Sequence, residues 1–334
     1  MSGYERCPVD VLTGFLGAGK TSLLRRLIAV DALRDTAVLV NEFAALPVDD
    51  RLVSIAGAPV GLIGEGCICC VSDGNLRAAL ISLLDARESG AMPPFQRVLI
   101  ETSGLADPGA ILAALAADPM LKPRLRPGRV VTLVDLVHGE ATLGDSAEAV
   151  AQIVCADAVF FTKRDSAGGL EAARLAATIN ALNPLATIVP EDVADPFAWP
   201  LPGSGDVVRS RALRRFHAVP VEPRHLEIAA GLLTAEAPIE WSHFAAWLSL
   251  LLHRHGTAIL RMKGEVAIRG DGAVSAVMVQ SVRHVVHAPE HLDRAEGTAL
   301  VVIARGLDPA AIEASFRRHV TGEATSGGQE RVAV

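Results

Sequence analysis

The sequence predicts a mostly parallel, doubly wound α/β sheet followed by a smaller α+β domain. Three observations carry that expectation. Residues 14–21 read Gly-Phe-Leu-Gly-Ala-Gly-Lys-Thr, the pattern G-x-x-x-x-G-K-[ST], between a strand-like run and a helix-like one. Apolar runs without alternation then alternate with helix-like segments over two-thirds of the chain. Past a stretch of Pro, Gly, Asp and Ser, the order becomes helix, three strands, helix.

The strand-like runs are Val9–Leu12, Ala37–Val40, Arg97–Glu101, Arg129–Val134, Ala158–Thr162 and Ala186–Val189. Apolar on both faces, they suit strands buried under helices on either side of a parallel sheet. The helices predicted between them are Thr21–Val30, Gly74–Arg87, Gly109–Ala117, Ser146–Val154 and Gly169–Leu182. Such an open sheet takes its ligand at the carboxyl ends of the strands. The second domain reads as a helix over Trp241–Arg254 and strands over Ala258–Ile268, Ala276–His287 and Ala299–Ala304, closed by a helix over Pro309–Arg318. Expected boundaries are 1–195 for the nucleotide domain, 196–211 for a linker, 212–321 for the second domain and 322–334 for a flexible tail.

No run approaches the ~18 uninterrupted apolar residues of a membrane span, and no leader peptide is evident. A net charge of −7 without a dense basic run argues against nucleic acid as the main partner. Five cysteines, three of them clustered, do not make a disulfide framework and suit a reducing cytoplasm. Homodimerisation is left open.

The glycine-rich loop supports a phosphate-loop NTPase domain. Backbone N–H groups across Gly14, Gly17, Ala18, Gly19 and Ser22 can wrap a β-phosphate, and Lys20 can reach the β- and γ-oxygens. The Thr21 hydroxyl can hold Mg²⁺, and Glu101, at a strand end, can hold the same ion. Gly104 follows, where a glycine lets a backbone N–H approach the γ-phosphate. Lys20, Thr21 and Glu101 form the expected catalytic set. With no Gln or Arg obviously placed to drive hydrolysis, slow intrinsic turnover is expected.

Strand Ala158–Thr162 runs into Thr162-Lys163-Arg164-Asp165. The Asp165 carboxylate can accept from the ring N–H and the amino group of guanine, whereas adenine presents a lone pair there. Lys163 can lay its stem on the base, so GTP is favoured over ATP. His138, after the Arg129–Val134 run, could approach the same face. His284, His287 and His291 read as a solvated strand edge.

Cys67, Cys69 and Cys70 lie just before the helix predicted from Gly74. A helix N-terminus favours thiolate, and this spacing can converge three sulfurs in a loop around one ion. Three thiolates leave a tetrahedral position open, which suits transfer of a metal. A redox sensor and plain core cysteines are the rival readings. Cys7 and Cys155 are assigned to the core. The thiols sit in sequence between the Asn41-Glu42-Phe43 turn and the Glu101 strand end, so nucleotide state could reshape them.

With these residues in place, the chain resembles the CobW-type metallochaperone GTPases, relatives of the urease and hydrogenase accessory GTPases. The stretches carrying the resemblance are Leu12–Leu24, Val40–Phe43, Gly66–Cys70, Leu99–Pro108, Val130–Asp135 and Phe161–Asp165, with Ile259–Gly264, Val277–His287 and Leu300–Gly306 in the second domain. The resemblance implies a GTP-hydrolysing protein that binds zinc or cobalt and delivers it to a client metalloprotein. It also implies Cys67, Cys69 and Cys70 as metal ligands, with Glu42 as an accessory ligand to that metal or to Mg²⁺. Ala44 and Ala45 stand where the family usually has Gly and a second acid, so any ligand from that carboxylate is missing. The alternatives are a regulatory GTPase with redox-sensing cysteines and a nucleotide-gated binding module.

Overall fold

The computed structural model describes residues 6–40, 53–55, 58–62, 74–166, 168–190, 192–200, 228–270, 273–293 and 297–322. These fall into two compact units, one up to residue 200 and one from residue 228. Among the described residues, no helix is long and apolar enough to cross a membrane.

The first unit runs β1 (Cys7–Gly14), α1 (Lys20–Ala29), β2 (Thr36–Val40), β3 (Val53–Ile55), β4 (Ala58–Leu62), α2 (Gly74–Glu88), β5 (Arg97–Glu101), α3 (Pro108–Ala117), β6 (Leu125–Asp135), α4 (Gly139–Asp145), α5 (Ala147–Cys155), β7 (Ala158–Thr162), α6 (Gly169–Leu182) and β8 (Thr187–Val189). The sheet order among these is β3-β4-β2-β5-β1-β6-β7-β8, parallel throughout except for the β3–β4 pair. Neighbours along a strand enter opposite cores. Ala37, Leu39, Val98 and Ile100 pack with Leu80, Leu84 and Phe95, while Val38, Val40 and Leu99 pack with Leu24 and Leu27 of α1. This period-two split of continuous apolar runs is why the sheet carries helices on both faces. The chain departs to opposite sides of β1, so the β1–α1 turn sits at the switch point of the sheet.

In this unit the β3–β4 hairpin and helix α4 were not expected from sequence. The β3–β4 hairpin contains Pro59 and Gly61, poor strand formers, and its β4 strand is recruited by pairing with β2. Helix α4 contains Gly139 and Gly144 and is held by tertiary packing of the buried Leu143. Phe197, inside the stretch expected to be linker, is buried in the core beside α1. Asp10 is a buried acid in β1, where the register with β6 shifts. Burial pushes its carboxyl up, against the Arg129 N–H, which donates to it at 2.7 Å, and the nearby Arg97 and Arg129 charges.

The second unit comprises β9 (Ile228–Ala235), β10 (Ile239–Glu240), α7 (Trp241–His255), β11 (Ile259–Gly270), β12 (Ala273–Val282), β13 (Val285–Val286), β14 (Glu290–Leu292), β15 (Thr298–Arg305) and α8 (Pro309–Phe316). Its main path, β13-β12-β11-β15-β9, is antiparallel. Alternate residues Val277, Val279, Leu300 and Val302 share a core with Phe244, Trp247 and Phe316 of the helices. Trp247 meets Phe316 edge-on at 5.2 Å, and its indole N–H reaches the Ser315 hydroxyl at 3.1 Å. The strand expected to continue through His287 instead ends at Val282. Arg283 adopts a left-handed φ of 54°, so His284 lies in a turn.

Cys7 and Cys155 are buried free thiols, as the sequence reading assigned them. Desolvation pushes the Cys7 thiol up to about 11, and its Sγ donates to the Gln96 carbonyl at 3.3 Å. Metal-free native protein should therefore leave Cys7 and Cys155 unreactive toward a disulfide reagent at pH 8, with both titrating only after denaturation. Mass mapping of modified cysteines checks this, and rapid native labelling of Cys7 would contradict the packing.

Candidate nucleotide site

The loop between β1 and α1 is built on backbone that side chains would not permit. Gly14 ends β1 with φ +143°, and a Cβ there would sit 2.5 Å from the Leu133 carbonyl of β6. Gly17 and Gly19 also have left-handed φ, 72° and 91°, and Gly19 is the N-cap of α1. Ala18 is buried beneath the loop, and Ser22 is exposed on the first turn of the helix. Lys20 opens that helix and is buried. Its ammonium donates to the Gly14 carbonyl at 2.7 Å and the Phe15 carbonyl at 3.1 Å, spanning the loop.

Two neighbouring strand ends close on the loop. The Thr21 hydroxyl donates to Glu101 Oε1 at 2.8 Å, joining α1 to the end of β5. This hydroxyl–carboxylate pair suits an oxygen-preferring dication of the magnesium type. Thr102 follows, its N–H on the Leu12 carbonyl at 3.0 Å and its hydroxyl on that of Thr13 at 2.9 Å. Gly104 then presses on the loop so closely that a Cβ would lie 2.6 Å from the Leu16 nitrogen. Gln152 of α5, which sequence reasoning missed, donates to the carbonyls of Gly104 and Ala106 at 3.0 and 3.1 Å.

At the other side, the Thr162 hydroxyl donates to the Ala18 carbonyl at 3.0 Å, fixing β7 to the loop. Lys163 has φ +58°, unusual for a residue with a side chain, and its ammonium donates to Asp135 Oδ2 at 2.7 Å. Asp165 is exposed in the short turn Arg164–Ser166. Asp135, the last residue of β6, had no role in the sequence reading. The same oxygen meets His138 Nδ1 at 3.1 Å, and Oδ1 accepts the Val137 N–H at 2.8 Å. Desolvation pushes its carboxyl up, but hydrogen bonds from Lys163, His138 and Val137 outweigh that and hold it below the usual carboxylate range. A cavity of about 200 Å³ runs here, lined by Phe15, Ala18, Asp135, His138, Gln152 and Lys163 among others.

Residues 8–190 match the family described as CobW/HypB/UreG, nucleotide-binding domain, and residues 228–320 match the Cobalamin synthesis protein cobW C-terminal domain. The chain belongs to this family of phosphate-loop GTPases. The zinc chaperone YjiA of Escherichia coli (strain K12) is 32% identical, with 84% of this chain and 87% of the relative covered. The zinc chaperone CobW of Pseudomonas aeruginosa is 29% identical over 95% of this chain and 92% of its own length. The crystal structure of Zn(II)-bound YjiA GTPase from E. coli superposes with a TM-score of 0.72 at 25% identity, covering 95% of this chain and 99% of that one.

For this CobW-family chain, Glu42, Cys67, Cys69 and Cys70 lie outside the described residues. Among the described residues, no three His, Cys, Asp or Glu side chains are grouped to hold a metal. His284, His287 and His291 therefore make no metal site. A larger groove of about 690 Å³ lies on the second unit, between α7 and the turn at His284, remote in sequence from every nucleotide motif.

A carboxyl depressed in the fold stabilises above its unfolded range and loses that contribution as pH falls through its folded value. The thermal midpoint should exceed that of Asp135→Asn by about 1–4 °C at neutral pH. The difference should vanish on acidification below the ordinary carboxylate range. Differential scanning calorimetry across pH checks this, and a constant difference would remove Asp135 as its source.

Proposed function

We propose that the chain is a GTP-hydrolysing metallochaperone that loads zinc at Cys67, Cys69 and Cys70 and delivers it to a client metalloprotein. The observation that carries the reading is the 2.8 Å bond between Thr21 and Glu101, which brings a phosphate-loop hydroxyl and a strand-end carboxylate to one point. Both relatives described above are named zinc chaperones, which supports zinc as the cargo; cobalt is tested as the alternative. A cytoplasmic site of action belongs to the same proposal, as do the expected boundaries 1–195, 196–211, 212–321 and 322–334, except that the buried Phe197 carries the first domain past residue 195.

The roles follow from chemistry. Lys20, buried on two carbonyls, exchanges those dipoles for β- and γ-phosphate oxygens, a stronger charge-assisted pairing. Thr21 and Glu101 hold Mg²⁺, which when bound neutralises phosphate charge. Gly104 brings a backbone N–H toward the γ-phosphate. Gly14, Gly17, Ala18, Gly19 and Ser22 contribute backbone to the phosphate cradle. Thr162 fixes the base-reading strand to this loop. Lys163, steadied by Asp135, carries its stem across the base, and Asp165 reads the guanine edge. Glu42 joins the thiolates as an accessory ligand, so the Asn41-Glu42-Phe43 turn couples nucleotide state to cargo. Such coupling is reciprocal, because nucleotide and metal bias one shared conformational equilibrium.

Competitive chelator titration of Zn²⁺ and Co²⁺ should give affinities at least ~10-fold apart between the GTP-analogue and GDP states. Changing Cys67, Cys69 and Cys70 to Ser should abolish tight binding in both. Equal affinities in the two states would sink delivery, and peroxide-dependent turnover without metal coupling would favour a redox GTPase. Asp165→Asn should reduce the preference for GTP over ATP by ~10-fold or more, because one accepting oxygen is replaced by a donor. Nucleotide competition measures this, and unaltered discrimination would remove Asp165 as the base reader.

A further inference from the structure

We infer that Gln152 is a positioning residue that holds the Gly104 loop against the phosphate loop and so sets the preference for a triphosphate over a diphosphate. Gln152 is 1% exposed, yet it lies on α5, outside the nucleotide motifs read from the sequence. Its carboxamide nitrogen donates to two carbonyls of the loop after β5, Gly104 at 3.0 Å and Ala106 at 3.1 Å. A side-chain amide has two N–H donors, so both are committed to this one loop. The backbone of Gln152 is itself fixed, because the Thr132 hydroxyl of β6 donates to its carbonyl at 3.0 Å. The pin therefore joins the central sheet, through α5, to the turn that carries Gly104.

Packing holds only part of that turn, for Gly104 and Ala106 are buried while Leu105 is not. Gln152, Leu16 and Ala149 border the 200 Å³ cavity under the phosphate loop, and Leu105, between the two accepting carbonyls, is exposed. On its other side Gly104 abuts the Leu16 backbone, with no room for a Cβ. The turn is clamped between Leu16 and Gln152, so a small shift of its peptide planes must break the amide bonds or carry α5 with it. Helix α5 leads through Asp157 into β7 and the Thr162–Lys163 turn, which places both ends of the nucleotide site on one mechanical path. The inference rests on the reading of Gly104 as the γ-phosphate contact.

The experiment compares Gln152→Met, which keeps length and removes both donors, with Gln152→Glu, which turns an acceptor toward the two carbonyls. Fluorescent GDP and a non-hydrolysable GTP analogue are titrated with Mg²⁺ into both variants, the wild type and Gly104→Ala. Circular dichroism establishes that each is folded. The expected result is a roughly tenfold weaker triphosphate analogue in both Gln152 variants, a GDP affinity within about twofold of wild type, and a lower kcat for GTP. Equal weakening of both nucleotides would reduce Gln152 to a fold residue and overturn the inference, as would no change in either. If Gly104→Ala weakens the analogue while the Gln152 variants do not, the positioning role alone fails. If Gly104→Ala leaves the analogue unchanged, the γ-phosphate reading of Gly104 falls, and the inference falls with it.

Discussion

A hydrogen atom is all that fits where the phosphate loop meets the backbone beside it. At Gly14 the obstacle is the Leu133 carbonyl, and at Gly104 it is the Leu16 nitrogen. These two approaches set the height of the loop relative to β5 and β6. Beside them Thr21 reaches Glu101, and Lys20 lies across its own loop. A methyl group at either glycine would have to displace backbone rather than a pliable side chain, and packed backbone yields poorly. The site is therefore a consequence of close main-chain packing first and of side-chain chemistry second.

Around that contact, each polar group is held by a different segment of chain. Lys20 spends its buried charge on two carbonyls, which lowers the cost of keeping an ammonium out of water. Asp135 serves Lys163 and His138 with one oxygen, and Thr162 reaches back to Ala18. Helices α1 and α5 and strands β5, β6 and β7 thus all contribute to one surface without any of them carrying the whole site. The Thr162–Ala18 bond ties the end of β7 directly to the loop after β1.

The second unit is organised by different forces. Its sheet is antiparallel, and its helices cover one face through Phe244, Trp247 and Phe316. Few aromatics exist in this chain, so concentrating three in one core gives a small sheet a large apolar burial with defined ring geometry. Ser315 satisfies the one polar atom of the tryptophan, which removes the penalty of burying it.

By itself the sequence determined the phosphate loop, six strands of the first unit, the acid at the end of β5 and the Thr162–Asp165 turn after β7. These signals are local: glycines at fixed offsets, unbroken apolar runs, and charged residues just past them. Tertiary structure decided β3, β4, α4 and β9: Pro59 and Gly61 in β4 and Gly139 and Gly144 in α4 weaken the local signal, and β4 and β9 are recruited by pairing with β2 and β15. It also decided the roles of Asp135 and Gln152, because a carboxylate 28 positions from Lys163 and an amide 48 positions from Gly104 leave no mark in local spacing. Hydrogen bonds over such separations arise only once the sheet has brought the strand ends together, and that is a property of the fold rather than of any segment.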